Sequence, residues 1–437
     1  MIDPGQFAPY LIISFIMWLG ILGYVFRRST NVFAPLPYLT IHFFAFFSLA
    51  PVLVYYVFGM DFYFARSSYT TLSGGIYAIV YSFFCFIASA FGLYLGNGSL
   101  NFRLTVSPIH ISHAQFIISI SIVLVLVNIL LGAIHYWSLG GFSGARILNQ
   151  LYGRGGTAED LGFILNGMMA TLAGFILIVF LCHRKWLYPL TILFSLLIIV
   201  EFGVGLSRAR AIFFGMMPVI ACYMRIQLES PNKASLFSAF LSTKTYIVAG
   251  AFLAALVVIS RFRGFFEDEN TFIIFIEHIL SVYLNRFEEL TLSIVLYEKG
   301  ILDHWTYFSG FDPVRRHIPG VDILLPSGGA FTSASTIFDS LAFTTYLHGK
   351  FTATIVTESY YNFKDFGMFV FILFGAVIGR FYRNGQRSPE HLCALVIVLG
   401  WLPYAFIANS NASFKLLAML GAPYAIYFCR KLIARVR

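Results

Sequence analysis

The stretch GGIYAIVYSFFCFIASAFGLYLG, residues 74–96, decides the fold class of this chain. It contains no charged residue, and it is as long as the roughly 20 apolar residues that an α-helix needs to cross a bilayer. The whole chain of 437 residues shares this character, because 59% of its residues are hydrophobic and only 11% are charged. A soluble protein carries about 25% charged residues. The composition therefore excludes a soluble globular protein, and the 49 Phe and 25 Tyr residues exclude low-complexity disorder.

Similar apolar stretches recur along the chain and predict about eleven transmembrane helices. The predicted spans lie near residues 7–26, 36–58, 74–96, 114–133, 161–182, 187–206, 211–225, 245–260, 366–382, 390–408 and 413–430. A long, more polar segment separates the eighth span from the ninth. The sequence thus predicts an all-α polytopic membrane protein in three parts, which are a bundle of about eight spans (1–260), a large outer loop (261–365) and about three C-terminal spans (366–437).

Basic residues orient these spans in the membrane. The first basic pair, Arg27 and Arg28, follows the first span, so the positive-inside rule places the N-terminus outside. Most basic residues of the later short loops then fall inside. The net charge of +9 is explained by this bias across a bilayer, and a nucleic-acid partner is not expected. The sequence has neither a phosphate-binding Walker motif nor a Cys/His metal spacing, so no cofactor or metal is expected.

Arginines at the predicted outer face are the main candidates for ligand binding. The short outer turn Gly205-Leu-Ser-Arg208-Ala-Arg210 carries two of them, and Arg261-Phe-Arg263-Gly264 opens the outer loop. A planar guanidinium suits bidentate contact with phosphate and stays protonated. Arginines outside are unexpected under the positive-inside rule, and a lipid diphosphate is an economical reason for them. Headgroup contact by long side chains and structural ion pairs are the alternatives.

Several titratable residues are candidates for proton transfer. His317, flanked by Arg315 and Arg316, is the best general base, because an ordinary histidine pKa near 6.5 suits proton abstraction at neutral pH. Glu358 is a further contender, and the other outer histidines are rivals: His278, His304 and His348. Glu201 lies in the sixth span seven residues before the turn arginine Arg208, which puts both on one helix face. It would orient an arginine, form a structural pair or relay protons in a transporter.

Two further outer residues are assigned supporting roles. Arg286 lies in a helical-looking stretch, 271–296, that is too charged to cross the membrane cleanly and is expected at the outer surface or over the mouth of the bundle. Tyr360 belongs to a set of outer aromatic residues. Aromatic faces stack on sugar rings, and they also form interfacial belts in membrane proteins.

Four short segments resemble motifs of bacterial oligosaccharide repeat-unit polymerases of the O-antigen polymerase type, which are related to O-antigen ligases. The segments are Gly205-Leu-Ser-Arg208-Ala-Arg210, Arg261-Phe-Arg263-Gly264, Tyr307-Phe-Ser-Gly310 running to Ile318-Pro319, and Glu358-Ser-Tyr-Tyr-Asn362-Phe-Lys-Asp-Phe-Gly367. The last segment is longer than the Asn-Phe-Gly of the family, and Gly320 stands where a basic residue is common. The resemblance covers about residues 205–385.

The resemblance implies a GT-C-like, metal-independent glycosyltransferase of the bacterial inner membrane. Such an enzyme polymerises undecaprenyl-diphosphate-linked oligosaccharide repeat units on the periplasmic face and releases the lipid diphosphate, with a chain-length regulator protein as a partner it would accommodate. Diphosphate binding is expected of Arg208, Arg210, Arg261 and Arg263, and the catalytic mouth is expected at Arg315, Arg316, His317 and Glu358. An O-antigen ligase and a transporter or flippase of lipid-linked glycans stay as alternatives.

Overall fold

The computed structural model describes residues 4–29, 33–57, 72–100, 114–138, 171–205, 208–229, 286–298, 354–385, 387–406 and 411–436. Nearly all of these residues are helical, and no strand occurs among them. The all-α prediction is therefore confirmed for the described part of the chain.

The described helices follow one another with short 3-10 turns at Arg184–Trp186 and Lys364–Gly367. In chain order they are α1 (Pro4–Arg28), α2 (Pro35–Val57), α3 (Leu72–Asn97), α4 (Ala114–Ser138), α5 (Thr171–Leu181), α6 (Leu187–Gly205), α7 (Arg208–Glu229), α8 (Phe287–Glu298), α9 (Ile355–Phe363), α10 (Met368–Gly385), α11 (Pro389–Ala405) and α12 (Asn411–Val436).

Four helical stretches are long and apolar enough to cross a membrane: Gln6–Arg28, Pro35–Val57, Leu72–Asn97 and Ile355–Gly385. Three shorter apolar helices accompany them, at Gln115–Val127, Thr171–Leu181 and Pro389–Pro403. These helices support a multi-pass membrane protein. The number of eleven spans stays a prediction, because the expected span at 245–260 lies outside the described residues and that at 161–182 lies partly outside them.

The stretch Ile355–Gly385 begins before the predicted ninth span, 366–382. It comprises α9, the 3-10 turn and α10. The charged residues Glu358, Lys364 and Asp365 made its first part resemble a loop in the sequence. The helix forms there because Ile355, Val356, Tyr360 and Tyr361 are buried in the fold. Thr354 also caps the first turn, its Oγ1 accepting a hydrogen bond from the N–H of Thr357 at 3.0 Å.

Helix α2 changes its winding around Pro51. Wider π-type turns, Ala45–Leu49 and Leu53–Val57, lie on either side of the short α-helical piece Ala50–Val52. Proline has no N–H to donate to the carbonyl four residues earlier, and its ring crowds that carbonyl. The local widening keeps α2 continuous past a residue that would otherwise break it.

Contacts along the chain group it into two compact units. Unit 1 comprises Met1–Phe102, Asn270–Arg380 and Leu402–Lys415, and unit 2 comprises Arg103–Glu269, Phe381–Trp401 and Leu416–Arg437. Each unit therefore combines segments that lie far apart in the sequence.

An aromatic core holds unit 1 together. The ring of Phe43 on α2 lies 4.9 Å from that of Phe406, 5.7 Å from that of Phe86 on α3 and 6.1 Å from that of Phe371 on α10. Trp18 of α1 stacks on Phe43 at 6.2 Å. Edge-to-face pairs of this kind add to the stabilisation that burial of the rings provides.

Helices α3 and α10 also approach each other so closely that their backbones touch. Gly92 and Gly96 of α3 meet the backbone of α10, and Gly375 and Gly379 of α10 meet the backbone of α3. Small residues four positions apart are the usual means by which membrane helices reach this separation. The close packing fixes α10, and with it the segment α9 that precedes it.

In unit 2, α6 and α7 form a tight helical hairpin. Helix α6 ends at Gly205 and α7 begins at Arg208, and the two helices pack along each other. Phe194 of α6 stacks on Phe175 of α5 at 4.1 Å. Arg225 of α7 donates a hydrogen bond to the Val179 carbonyl oxygen of α5 at 2.8 Å.

Candidate functional site

The arginine turn predicted from the sequence is the hairpin between α6 and α7. Arg208 is the first residue of α7 and Arg210 is the third. Glu201 lies in α6, close to the same end. The side chains of these three residues are outside the described part of the structure, so their pairing stays a prediction.

Most of the predicted catalytic mouth falls outside the described residues, namely Arg315, Arg316 and His317. The predicted diphosphate-binding residues Arg261 and Arg263 also lie outside them. Their proximity to one another and to the arginine turn stays a prediction.

Glu358 and Tyr360 are described, and both are buried on α9. Glu358 has no exposed surface, and Tyr360 is 1% exposed. Tyr360 lies edge-on to Tyr81 of α3, with ring centroids 5.0 Å apart, and the Tyr81 hydroxyl lies 3.1 Å from Ser359 Oγ. A carboxyl group with no exposed surface needs compensation from its surroundings, and buried carboxyl groups of this kind are common at functional sites.

Arg286, predicted only as a supporting residue, begins a buried cluster of charged residues at the start of α8. Its guanidinium Nη1 donates to Glu289 Oε1, and the Tyr55 hydroxyl of α2 donates to Glu288 Oε1. All three charged residues are at most 5% exposed. The cluster, which we call the α8 charge cluster (Arg286, Glu288 and Glu289), was visible in the sequence as charges within an apolar stretch, but its burial was not.

Glu289 has the most unusual environment of this cluster. Its Oε2 atom is buried and has no hydrogen-bond partner among the described residues. Burial raises the pKa of Glu289 to about 7, although the neighbouring Arg286 guanidinium opposes the shift. A carboxyl group with a pKa near neutrality can accept and return a proton at physiological pH, which is the property of a general base or of a proton relay.

A third group of residues lies where α9 meets α10. The Tyr77 hydroxyl of α3 donates to Asp365 Oδ1, and Lys364 Nζ lies 5.6 Å from the ring centroid of Tyr297 on α8. Lys364 has φ 53° and ψ −131°, a backbone conformation with positive φ that residues other than glycine rarely adopt. Lys364 and Asp365 are exposed, so this junction adds accessible charges beside the buried tyrosines.

The site residues whose side chains the structure describes therefore form one layer of unit 1. Helix α8 packs against both α3 and α9, so the α8 charge cluster, Glu358 and the tyrosines belong to contacting helices. The layer offers carboxyl groups, a guanidinium and phenol hydroxyls, which suit proton transfer and hydrogen bonding to hydroxylated ligands. Among the residues that the structure describes, no group of three His, Cys, Asp or Glu side chains is placed to hold a metal ion.

Comparisons with known proteins add no relative to this description. The chain matches no protein-family model, no curated protein and no solved structure. A function is therefore proposed from the residues, their placement on the helices and the resemblance of the four motifs.

Proposed function

We propose that this chain is an integral membrane glycosyltransferase that polymerises undecaprenyl-diphosphate-linked oligosaccharide repeat units. In this proposal the enzyme has a GT-C-like fold, belongs to the bacterial inner membrane and works at its periplasmic face. The observation that carries the proposal is the position of Arg208 and Arg210 at the very start of α7, directly after the hairpin turn.

Basic residues at this position favour a bound anion. The N-terminus of a helix carries a partial positive charge and N–H groups without intrahelical partners. Two arginines in that turn are unfavourable by about 0.3–1 kcal/mol each unless an anion compensates them. A diphosphate would satisfy the free N–H groups and both guanidinium groups together. This matches the leaving group of the proposed reaction.

The proposed reaction is a displacement at an anomeric carbon. A hydroxyl oxygen of one repeat unit forms a bond to the anomeric carbon of the other glycan. The bond between that carbon and the diphosphate oxygen breaks, and the diphosphate leaves with the electron pair. The hydroxyl proton passes to a base, for which His317 and Glu358 are the candidates. The arginines stabilise the negative charge that develops on the leaving group, without a metal.

Binding both lipid-linked glycans in one site supplies the remaining catalysis. Two tethered reactants held in orientation react far faster than two free ones, because the entropy of bringing them together has already been lost. Arg261 and Arg263 are proposed to hold the diphosphate, with Arg315 and Arg316 at the reacting end. A chain-length regulator protein is the protein partner that such a polymerase would meet.

Transport of lipid-linked glycans is the second candidate, and the α8 charge cluster favours it. Buried ionisable residues in membrane proteins often mark proton or substrate pathways. Glu289 is buried, and within the part of the chain that the structure describes one of its carboxyl oxygens has no hydrogen-bond partner. This is the environment of a proton carrier.

The test uses the purified full chain in detergent with the lipid-diphosphate-linked repeat unit of the source strain. We expect a ladder of glycan lengths on a gel, and we expect it to persist in EDTA. Replacing Arg208 or Arg210 by Ala should lower polymer yield at least tenfold, since a charge-assisted contact to the leaving group is lost. Arg28→Ala, at the C-terminal end of α1, is the matched control and should leave the yield unchanged.

The other outcomes distinguish the alternatives. Transfer of a single unit onto a lipid A core would indicate a ligase. Movement of the lipid-linked glycan across vesicle membranes without bond formation would indicate a transporter. Unchanged polymer in both arginine variants would contradict the diphosphate assignment even if the polymerase activity is found.

A further inference from the structure

A second group of basic residues lies near the C-terminal end of α12 and at the connection between α10 and α11. Two arginines of the proposed diphosphate site, in contrast, lie at the N-terminus of α7. We call it the α12 basic cluster, and it consists of Arg387, His391, Arg430 and Lys431. Arg387 lies in the short connection between α10 and α11, and His391 lies in the first turn of α11. All of these residues belong to unit 2. None of them takes part in the proposed glycosyl transfer.

Specific contacts hold the cluster in place. Arg430 Nε lies 2.7 Å from Glu390 Oε1, and Glu390 is buried on α11. Ser388 Oγ lies 2.9 Å from His391 Nδ1 and accepts a hydrogen bond from the His391 N–H at 3.4 Å, which caps α11. The buried Glu390 therefore fixes the end of α12 against the start of α11.

Two tyrosines of α12 support the same cluster. The His391 ring lies edge-on to Tyr424 and Tyr427, with centroids 5.5 Å and 4.7 Å away. Lys431 Nζ lies 4.8 Å and the Arg430 guanidinium carbon 5.8 Å from the Tyr427 ring centroid. Both cations are therefore held beside one aromatic face rather than extended freely into solvent.

The cluster carries more positive charge than its carboxylate neutralises. His391 interacts electrostatically with three basic residues, Arg387, Arg430 and Lys431, and with one acidic residue, Glu390. Glu390 is paired with Arg430. Within the described residues, Arg387 and Lys431 have no carboxylate partner, and both are exposed. These two exposed cations near His391 are thus available to an anion.

An apolar stripe runs beside these cations on the same helix. Phe428 and Leu432 are 61% and 62% exposed, and they directly follow Tyr427 and Lys431 in the chain. Residues four apart lie on one helix face, so this stripe and the cationic face are neighbours. The sequence predicts a membrane span at 413–430, which lies within α12. In such a span this stripe would face hydrocarbon, and the cations would lie at the depth of phospholipid headgroups.

From this arrangement we infer that the α12 basic cluster binds the phosphate of an anionic phospholipid, whose acyl chain lies along Phe428 and Leu432. A basic residue at the C-terminal end of a helix is favoured by the helix dipole alone, which explains why cations occur near the end of α12. The dipole does not explain why Arg387 joins them from another helix connection. Basic pockets between membrane helices are a known way to recognise anionic headgroups.

The test measures lipid-dependent stabilisation of the full chain in dodecyl maltoside. Melting temperature is followed while cardiolipin or phosphatidylglycerol is added, with phosphatidylcholine as the zwitterionic reference. We expect a rise with the anionic lipids only. The double variant Arg387→Gln/Lys431→Gln should bind them about 25-fold more weakly, at roughly fivefold for each lost cation.

Lys185→Gln is the matched control. Lys185 is also an exposed lysine over an aromatic ring, with its Nζ 5.8 Å from the Trp186 ring centroid, but it lies outside the cluster. It should keep wild-type lipid binding. An equal loss in this control, or unchanged binding in the double variant, would overturn the site.

A second arm identifies the source of the phosphate. Inorganic phosphate at matched ionic strength should produce no shift that depends on Arg387 and Lys431, because it lacks the acyl chain. A shift equal to that of the lipid would mean that the cluster takes a soluble phosphate compound, and the lipid assignment would be wrong. Neither result depends on glycosyl transfer, so failure of this inference and failure of the proposed function are separate outcomes.

Discussion

Replacing Gly92 by alanine should weaken the contact between α3 and α10. An added Cβ atom would lie 2.8 Å from the Ala376 backbone nitrogen and closer still to the Ile372 carbonyl oxygen, whereas ordinary contact begins at 3.4 Å. The atoms in its way belong to the backbone, so no side chain can rotate aside. The two helices would have to separate by more than about 0.6 Å, in an interior packed almost as densely as a crystal.

The magnitude follows from two opposing effects. Overpacking of this kind costs about 1–3 kcal/mol, and the rigid backbone neighbours place Gly92→Ala toward the upper end. Alanine is the better helix former by about 1 kcal/mol, which offsets part of the cost. We therefore expect a net loss of about 1–2 kcal/mol, seen as a melting temperature several degrees lower. Gly375→Ala should behave alike, since its Cβ would lie 2.9 Å from the Leu93 nitrogen.

The assay compares melting of purified variants in one detergent by fluorescence-detected size exclusion. Gly20→Ala on α1 is the matched control, because an added Cβ there meets no atom of the described residues within 4 Å. It should raise the melting temperature slightly or leave it unchanged, since only the helix-propensity gain applies. If Gly92→Ala melts like Gly20→Ala, the close helix contact is refuted.

Three further predictions concern the site layer. The pKa of Glu289 is about 7 in the folded protein, against an ordinary value of 4.5 in the unfolded chain. The folded protein therefore keeps a proton that the unfolded chain loses, and the free energy of unfolding should fall by about 3 kcal/mol as pH rises from 4.5 to 7. Glu289→Gln should flatten this dependence, and a wild-type slope in that variant's melting temperatures would contradict it. Lys364→Gly should relieve the backbone strain of the left-handed conformation and stabilise the protein by about 1 kcal/mol, whereas Lys364→Ala should not. Equal melting temperatures of the two variants would exclude backbone strain at this position. Thr354→Ala should cost about 1 kcal/mol by removing the cap of α9, and Thr354→Ser should restore the melting temperature.

The helices themselves were largely predictable. The stretches near 7–26, 36–58 and 74–96 correspond to Gln6–Arg28, Pro35–Val57 and Leu72–Asn97 in the structure. An apolar stretch of this length predicts a membrane helix without any knowledge of tertiary contacts, because the prediction depends only on consecutive residues. The sequence prediction included helix α9 in the outer loop, because its charged residues are not typical of a membrane helix. Burial in the tertiary structure stabilises this helix.

The site was predictable only in part. Glu358, Tyr360 and Arg286 were recognised from the sequence, although with roles that stay predictions. The partnership of Tyr55 with Glu288 spans 233 residues of chain, and no local pattern reveals such a pair. The raised pKa of Glu289 depends on the burial of its side chain, which the sequence does not show.

The sequence by itself determined that this is an all-α membrane protein. Hydrocarbon cannot hydrogen-bond to the backbone, so apolar stretches of this length must satisfy their N–H and C=O groups internally, as helices. Only the tertiary structure decided which helices touch. Gly92 meets the backbone of α10, Arg430 meets Glu390, and α8 carries its charges into the interior of unit 1. These contacts depend on shape and on partners far apart in the chain, which apolarity alone does not specify.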